Sequence, residues 1–320
     1  MINVYAISTN NVDIYRDLGM VYPGGIAINV SCYLCRAGHK ASYVGWVGND
    51  AMGLLQYNTM KQEGVDVSKT KILDMQQDWC SIKLEDGNNR VFKEGYNQIG
   101  LTHKFSVEDV KQGQTGEYDV IYSNIECSFE PDAWKQLGNS NIPVAYDFSN
   151  YWDMVGENRV EKAKGVIDYF YMSLEHRPED PEEFTKKCVE EYGATIALAT
   201  LGTDGSILYN GRKHYRQKAY LVDTVDTMGA GDMFLSSFTA SYVEGMKNLN
   251  ECAKKCGWTK DNPNYMECED SVIERSLSYA SMMAAYNCME QGAIGHGIAF
   301  DDSMTARSTD KRYKSREEEE

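Results

Sequence analysis

The strongest constraint on this chain is the alternation of buried apolar runs with amphipathic segments of helical period. From residue 106 onward, runs at 118–123, 144–148, 166–172 and 195–201 are rich in branched and aromatic residues, with helical patterns between them such as 182–192. Buried runs separated by helices build a parallel sheet covered on both faces. The same reading extends to the N-terminus, with a strand at 4–8, an amphipathic helix at 25–36, a strand at 41–47 and a helix at 52–63 closed by Gly64. Short extended runs at 72–73, 80–84 and 90–92 interrupt the alternation, and Asp86-Gly87-Asn88 between them signals a hairpin. We read 72–93 as a small β lid. Ligands of such sheets sit beyond the strand C-termini, where helix entry loops converge.

Two further strands at 206–209 and 214–218 precede a long helix from Gly229 and another over 271–291. Between those helices, 252–270 lacks clear periodicity and reads as an insertion. Residues 1–300 are therefore expected as one α/β domain, with 301–320 a charged, disordered tail.

A hydrophobic fraction of 42% and a charged fraction of 25% are those of a water-soluble globular chain, and no run approaches the ~20 apolar residues that cross a bilayer. The N-terminus reads as a strand and lacks a basic flank and cleavage site, so a cytoplasmic location is expected. Nine cysteines without framework spacing fit a reducing compartment. Cys32-x-x-Cys35 falls in an amphipathic helix, where burial is expected over redox chemistry, and Cys252, Cys256 and Cys268 lack a fourth ligand for zinc. The net charge of −16 argues against a nucleic-acid partner and against a membrane surface, so a polyanionic ligand needs a local site.

Such a site is suggested by Asp226-Thr227-Met228-Gly229-Ala230-Gly231-Asp232, which runs into the apolar Met233-Phe234-Leu235. Two glycines around an alanine at a helix start let a ligand approach bare backbone, and the free N–H groups of the first turn suit phosphoryl charge. Asp232 is placed to accept the proton of an attacking hydroxyl. The plain alternative is a glycine-rich helix start whose aspartate serves only the helix dipole. A Walker A loop is excluded, because no Lys-Ser or Lys-Thr follows, and the third glycine of a dinucleotide fingerprint is missing.

Asp-Thr-x-Gly-Ala-Gly-Asp is the signature of the ribokinase, or PfkB-type, carbohydrate kinases, and the chain resembles them elsewhere in order. Asn11-Val12-Asp13 follows the first strand, and Gly24-Gly25 opens a helix carrying Asn29. Trp46-Val47-Gly48-Asn49-Asp50-Ala51-Met52-Gly53 and Thr200-Leu201-Gly202-Thr203-Asp204-Gly205-Ser206 are similar to two further family segments. Within the family, Val12 to Tyr15, Arg90-Val91-Phe92, Asp147 to Asp153 and Asp226 to Phe234 most resemble the kinases of fructosamines such as fructoselysine. Kinases of simple sugars or nucleosides, and a silent sugar- or nucleotide-binding regulator, remain as alternatives.

The resemblance implies a three-layer α/β/α fold with a mainly parallel sheet and a β lid, and ATP-dependent phosphorylation of a sugar hydroxyl. It implies Asp232 as base, with Gly229, Ala230 and Gly231 as the backbone anion hole. Asp13, Gly24, Gly25 and Asn29 would bind the sugar, and Arg90 or Lys93 would clamp a substrate carboxylate. Thr200, Gly202 and Gly205 would border ATP. Mg²⁺ is expected with ATP, and potassium at Asp226 with carbonyls near Gly292-Ala293. Ser173 and His176 stand where the family often has Asn and Glu, leaving Glu175 or Glu179 as substitutes. Dimerisation through the lid is a further implication.

Overall fold

Alternate residues of the first strand, β1 (Asn3–Ile7), face opposite helical layers. Val4 and Ala6 join one buried apolar cluster, and Tyr5 and Ile7 join the other. The same alternation recurs in the strand at Val120–Asn124, where Val120 and Tyr122 face one way and Ile121 the other. Side chains of a strand point alternately to its two faces, so a strand that is apolar throughout needs cover on both.

The computed structural model describes residues 1–85, 88–150, 159–175, 177–308 and 313–314. The strands are β1, β2 (Val12–Tyr15), β3 (Met20–Pro23), β4 (Lys40–Gly48), β5 (Thr70–Leu73), β6 (Trp79–Glu85), β7 (Asn89–Tyr96) and β8 (Val120–Asn124). They continue as β9 (Val144–Asp147), β10 (Tyr169–Ser173), β11 (Ile196–Thr200), β12 (Ser206–Tyr209), β13 (His214–Gln217), β14 (Ile298–Ala299) and β15 (Tyr313–Lys314). The helices that matter below are α1 (Ile26–Arg36), α2 (Ala51–Gln62), α8 (Ala230–Cys256) and α9 (Pro263–Asn287).

One sheet has nine strands in the order β13-β12-β11-β10-β9-β8-β1-β4-β5. It is parallel from β11 to β5, with β12 and β13 added antiparallel at one edge. This is the expected α/β/α architecture. A second sheet has the order β14-β3-β2-β6-β7-β15. The lid is therefore broader than 72–93: it recruits β2 and β3, while β5 belongs to the large sheet. Its hairpin turn at Asp86-Gly87 lies outside the described residues, but Asn88 beside it adopts a left-handed φ of 62°. That conformation suits asparagine in a tight turn.

Two expectations are corrected. The stretch 252–270 is mostly helical, made of the end of α8, a short turn and the start of α9. Gly257, at φ 70°, caps α8, while Asn262 accepts from the N–H of Asn264 and Pro263 starts α9. The helices run antiparallel, with Tyr265 donating to Asn250 and Ser276 to Ser241. Cys252, Cys256 and Cys268 lie exposed on this hairpin, whereas Cys32 is buried on α1. The second correction concerns the tail: residues 302–308 form a 3₁₀ turn, and Tyr313–Lys314 pair with β7. The rest of 309–320 lies outside the described residues. No helix among the described residues is long and apolar enough to cross a membrane.

The α8 face that holds the site is anchored by aromatic packing. Phe238 is fully buried, stacks on Tyr242 at 5.4 Å and meets Tyr171 of β10 edge-on at 6.1 Å. Truncating Phe238→Ala should lower stability by about 3–5 kcal/mol through lost burial and a residual cavity. A urea-unfolding midpoint unchanged from wild type would contradict this account of the core.

Candidate active site

The loops after β1, β8, β9 and β11 leave the C-terminal ends of parallel strands, while the double glycine follows β3 of the second sheet and the Gly229 turn follows β13. The first is 8–11, after β1. It is fixed by a buried polar network in which Asn10 Nδ2 donates to the Trp46 carbonyl at 2.6 Å and to the Tyr43 hydroxyl at 2.7 Å. Gln56 of α2 donates to Asn10 Oδ1, the Asn11 carbonyl and the Gly24 carbonyl, and accepts from the Gly24 N–H. One amide thus pins both the loop and the double glycine. Nothing along the chain marks this role, because a glutamine in a helix carries no motif.

Asp13 lies within β2 rather than in a turn, and only 2% of it is exposed. Gly24 and Gly25 are both obligatory. A Cβ on Gly24 would stand 2.4 Å from Asp13 Oδ2, and one on Gly25, at φ 90°, would stand 2.8 Å from the Asn10 Cα. Gly25 then starts α1, which carries Asn29 inward. Asn29 Nδ2 donates to Asp232 Oδ2 at 2.7 Å across 203 residues of sequence. Because the carboxylate can only accept, this bond orients the amide and leaves Asn29 Oδ1 buried without a partner among the described residues. An orphaned buried acceptor is costly, and a ligand hydroxyl would satisfy it.

Asp232 stands in the first turn of α8, behind the Gly229 turn. Gly229 has φ 74°, and a Cβ there would meet the Tyr33 hydroxyl at 2.6 Å and Ala293 Cβ at 2.7 Å. Gly231 differs, since a Cβ there would meet nothing within 4 Å. Ala230 N–H donates to the Thr227 carbonyl at 3.3 Å. The next N–H groups, of Gly231 and Asp232, have no acceptor among the described residues, so they remain available to an anion. Burial raises the Asp232 carboxyl to about 6, against the lowering influence of the Asn29 bond and of Arg90.

Other carboxylates converge here. Asp13 is pushed well above the usual range by burial and then by the charges of Asp226 and Asp232. Asp147, at the end of β9, rises to about 7, chiefly through burial. Glu126, after β8, likewise rises to about 7 through burial and the Asp232 charge. Glu126 itself is exposed, and its carboxylate has no partner among the described residues. Sequence reasoning missed Glu126, because nothing in Asn124-Ile125-Glu126 marks it apart from any strand-end acid.

Arg90 of β7 is the cation beside this acidic set. Its N–H donates to Thr227 Oγ1 at 3.1 Å and its guanidinium to the Thr227 carbonyl at 3.2 Å, while Asn88 donates to the Thr224 carbonyl. The lid therefore rests on the loop that carries Asp226. Lys93 pairs with Glu85 at 3.0 Å.

The Thr200–Gly205 turn closes the other end of the groove. Gly202, at φ 57°, abuts Glu175, and a Cβ on Gly205, at φ 98°, would stand 2.0 Å from the Gln217 carbonyl. From there the chain at 218–225 runs along α9. The Lys218 carbonyl accepts from Ser281, Tyr220 meets Ser278, and Val225 N–H donates to the Cys288 carbonyl. Leu221, Val222 and Val225 on that strip, and Met282 and Tyr286 on α9, are exposed. An apolar strip thus leads from the Gly202 turn to the Gly229 turn. Asp50, in the Gly48-to-Gly53 segment, serves structure: it caps α2 by accepting from Gly53 N–H and also accepts from Gln77 N–H. Of the substitutes for the missing Asn and Glu, Glu175 faces the groove and Glu179 pairs with Arg177; His176 lies outside the described residues.

Comparison with known proteins follows this geometry. The pattern of the pfkB family carbohydrate kinases matches residues 1–139 and 170–257. The chain is 30% identical to a fructoselysine 6-kinase of Escherichia coli (strain K12) over 242 residues, covering 75% of this chain and 89% of the relative. It is 27% identical to a fructosamine kinase of Bacillus subtilis (strain 168) over 298 residues, covering 92% and 94%. A fructokinase from Vibrio cholerae O395, solved with fructose, ADP and potassium ion, shares the fold with a TM-score of 0.70 at 17% identity, covering 96% and 98%. A glycine turn at a helix N-terminus, a facing aspartate and these likenesses place the chain in one family: it belongs to the pfkB carbohydrate kinases and is an ATP-dependent sugar kinase.

Proposed function

We propose that the chain phosphorylates the 6-hydroxyl of a fructosamine, with fructoselysine as the leading substrate. The observation that carries this choice is the exposed carboxylate of Glu126, which has no partner among the described residues and interacts electrostatically with Asp13, Asp147 and Asp232. A neutral sugar would cover an uncompensated charge there, which is costly. A fructosamine brings a secondary ammonium that would pair with it. The two fructosamine-directed relatives support the same reading.

In the proposed reaction Asn29 Oδ1 and Asp13 hold sugar hydroxyls, and Gly24 and Gly25 admit the ring against backbone. Asp232 accepts the proton of the 6-hydroxyl as that oxygen bonds to the γ-phosphorus. The bond from phosphorus to the β–γ bridging oxygen breaks, and ADP leaves. Ala230 N–H is taken by the Thr227 carbonyl, so of the expected anion hole the N–H groups of Gly231 and, beside it, Asp232 would face the charge on the transferring group, lowering the barrier without reorganisation. The nucleotide base would cover the apolar strip beside α9, with Thr200, Gly202 and Gly205 at its border. Among the described residues there is no cluster of three metal-ligating side chains. Glu175, which abuts Gly202, would be a protein carboxylate near Mg²⁺, which would neutralise phosphate charge and be held mainly by phosphate oxygens and water. The carboxylate of the substrate would meet the Arg90 guanidinium on the lid. Two copies pairing through the lid would use its faces, because β14 and β15 of the same chain already cover its outer strands.

Asp232→Asn should stay folded and lose about 10²–10⁴-fold in kcat, the usual worth of a positioned base. Near-normal turnover would remove Asp232 from that role. Because this carboxyl is raised to about 6, activity should fall as pH drops below that value. Its folded-state proton affinity exceeds the unfolded one, so the stability it contributes is present at acid pH and lost as pH rises through 6. The Asn variant should gain stability over wild type above that pH and converge with it in acid, which thermal melts across pH would read. Gly231→Ala, with open space for its methyl, should keep the wild-type melting temperature and lose at least about tenfold in kcat/KM for ATP, as expected for a blocked anion hole. An ADP-release assay against fructoselysine, fructose, ribose and nucleosides tests the substrate. Glu126→Gln should weaken fructoselysine relative to fructose, and a wild-type preference for fructose or a nucleoside would overturn the fructosamine reading.

A further inference from the structure

Asp226 is fully buried, yet among the described residues no ammonium or guanidinium group forms a salt bridge with it. Its carboxylate is met by three donors of the chain itself. The Tyr15 hydroxyl donates to Oδ2 at 2.7 Å, Gly292 N–H to the same oxygen at 3.0 Å, and Met228 N–H to Oδ1 at 2.9 Å. A carboxylate offers about four acceptor sites, so little remains for a further ligand. The surrounding carbonyls are engaged as well. The Met228 carbonyl accepts from Asn287 Nδ2 at 2.8 Å, the Cys288 carbonyl from the N–H groups of Val225 and Asp226, and the Gly292 carbonyl from Gly295 N–H at 2.7 Å.

The walls of this site are apolar. Tyr15, Tyr22, Ile82, Met228 and Ala293 pack together around it, and the Tyr15 and Tyr22 rings meet edge-on at 5.4 Å. Gly292 and Gly297 lie against the Tyr22 ring, with a Cβ on Gly292 placed 2.2 Å from that ring. The loop therefore cannot draw back to open a cage while Tyr22 stays in place. A potassium ion needs a shell of oxygens able to replace its hydration water. The residues at Asp226 do not fit one.

We propose that the Tyr15 hydroxyl takes the place of a monovalent cation at Asp226, so that this kinase organises its anion hole without potassium. The hydroxyl stays protonated, since burial and the nearby carboxylates of Asp13 and Asp226 hold the phenol above its ordinary range. Asp226 in turn fixes Met228 N–H, one residue before Gly229, so the hydroxyl orients the turn through the carboxylate. Tyr15 is thus a positioning residue. A diffusible ion is replaced by a donor on lid strand β2, which joins the lid covalently to the order of the anion hole. The fructokinase of the same fold, solved with potassium ion, marks the contrasting arrangement to compare.

The proposal rests on the sugar-kinase reading and is independent of which sugar is accepted. Its first test is titration of the wild-type chain with thallium(I), read by ²⁰⁵Tl NMR line width, together with melting temperature in potassium, sodium and choline chloride at equal ionic strength. We expect no saturable thallium signal and no potassium-specific stabilisation. Neither readout needs a substrate, so a wrong sugar assignment leaves them intact. The second test is ADP release with each salt, using the best substrate of the panel. Wild-type kcat should be unchanged among the salts, whereas Tyr15→Phe should acquire saturable potassium activation of at least about fivefold, the size of a typical coupling between sites. Saturable thallium binding or potassium activation of the wild type overturns the proposal. So does a folded Tyr15→Phe enzyme that remains indifferent to potassium. If that variant fails to fold, the thallium titration of the wild type decides alone.

Discussion

The hydrogen bond from Asn29 to Asp232 is the contact on which the site depends. It joins α1 to α8, the two helices whose N-terminal turns carry the double glycine and the Gly-Ala-Gly turn. Each partner restricts the other: the carboxylate fixes the amide rotamer, and the amide holds one carboxylate oxygen in place. The consequence is an orphaned acceptor, Asn29 Oδ1, buried beside a carboxyl that burial has raised to about 6. Both features disfavour the empty site and favour a hydroxyl-bearing ligand, which links folding cost to function.

Around that contact the molecule concentrates negative charge where its substrate is to carry hydroxyls and, in the proposed reading, an ammonium. Asp13, Glu126, Asp147 and Asp232 are all raised by burial, and the first three also by the charge of neighbouring carboxylates. Phosphate, in the same reading, would be left to backbone N–H groups, and the Arg90 guanidinium arrives from the lid. A net charge of −16 over the chain is compatible with ATP binding because neutral dipoles at a helix start do not require a basic surface. The lid is tied to this arrangement at two points, Arg90 on Thr227 and Tyr15 on Asp226.

Much of this was legible along the chain because local patterns carry local physics. The branched and aromatic runs specified the parallel sheet, and the boundaries differ from the observed strands by a few residues at most. The glycines were legible for the same reason: a positive φ or a close backbone approach admits little else, as Gly25, Gly229 and Gly205 show. Where reading failed, the signal was present but short. Gly257 and Asn262-Pro263 mark a helix end and a helix start, yet the polar turn between them masked the periodicity and suggested an insertion. Tyr313–Lys314 pair with β7 despite sitting in a charged tail, because a two-residue edge strand needs backbone groups rather than an apolar pattern.

By itself the sequence determined the layers, the alternation of strands and helices that builds the large sheet, and the glycine turn with its aspartate, since each is encoded within a few consecutive residues. Only the tertiary structure decided the company each residue keeps. It set Asn29 against Asp232, left Glu126 without a counter-charge, made Gln56 the clamp on Gly24 and gave Asp226 the Tyr15 hydroxyl as its partner. These pairings span tens to hundreds of residues, and hydrogen bonds and charge effects act through distance in space, which the linear order of a chain does not specify.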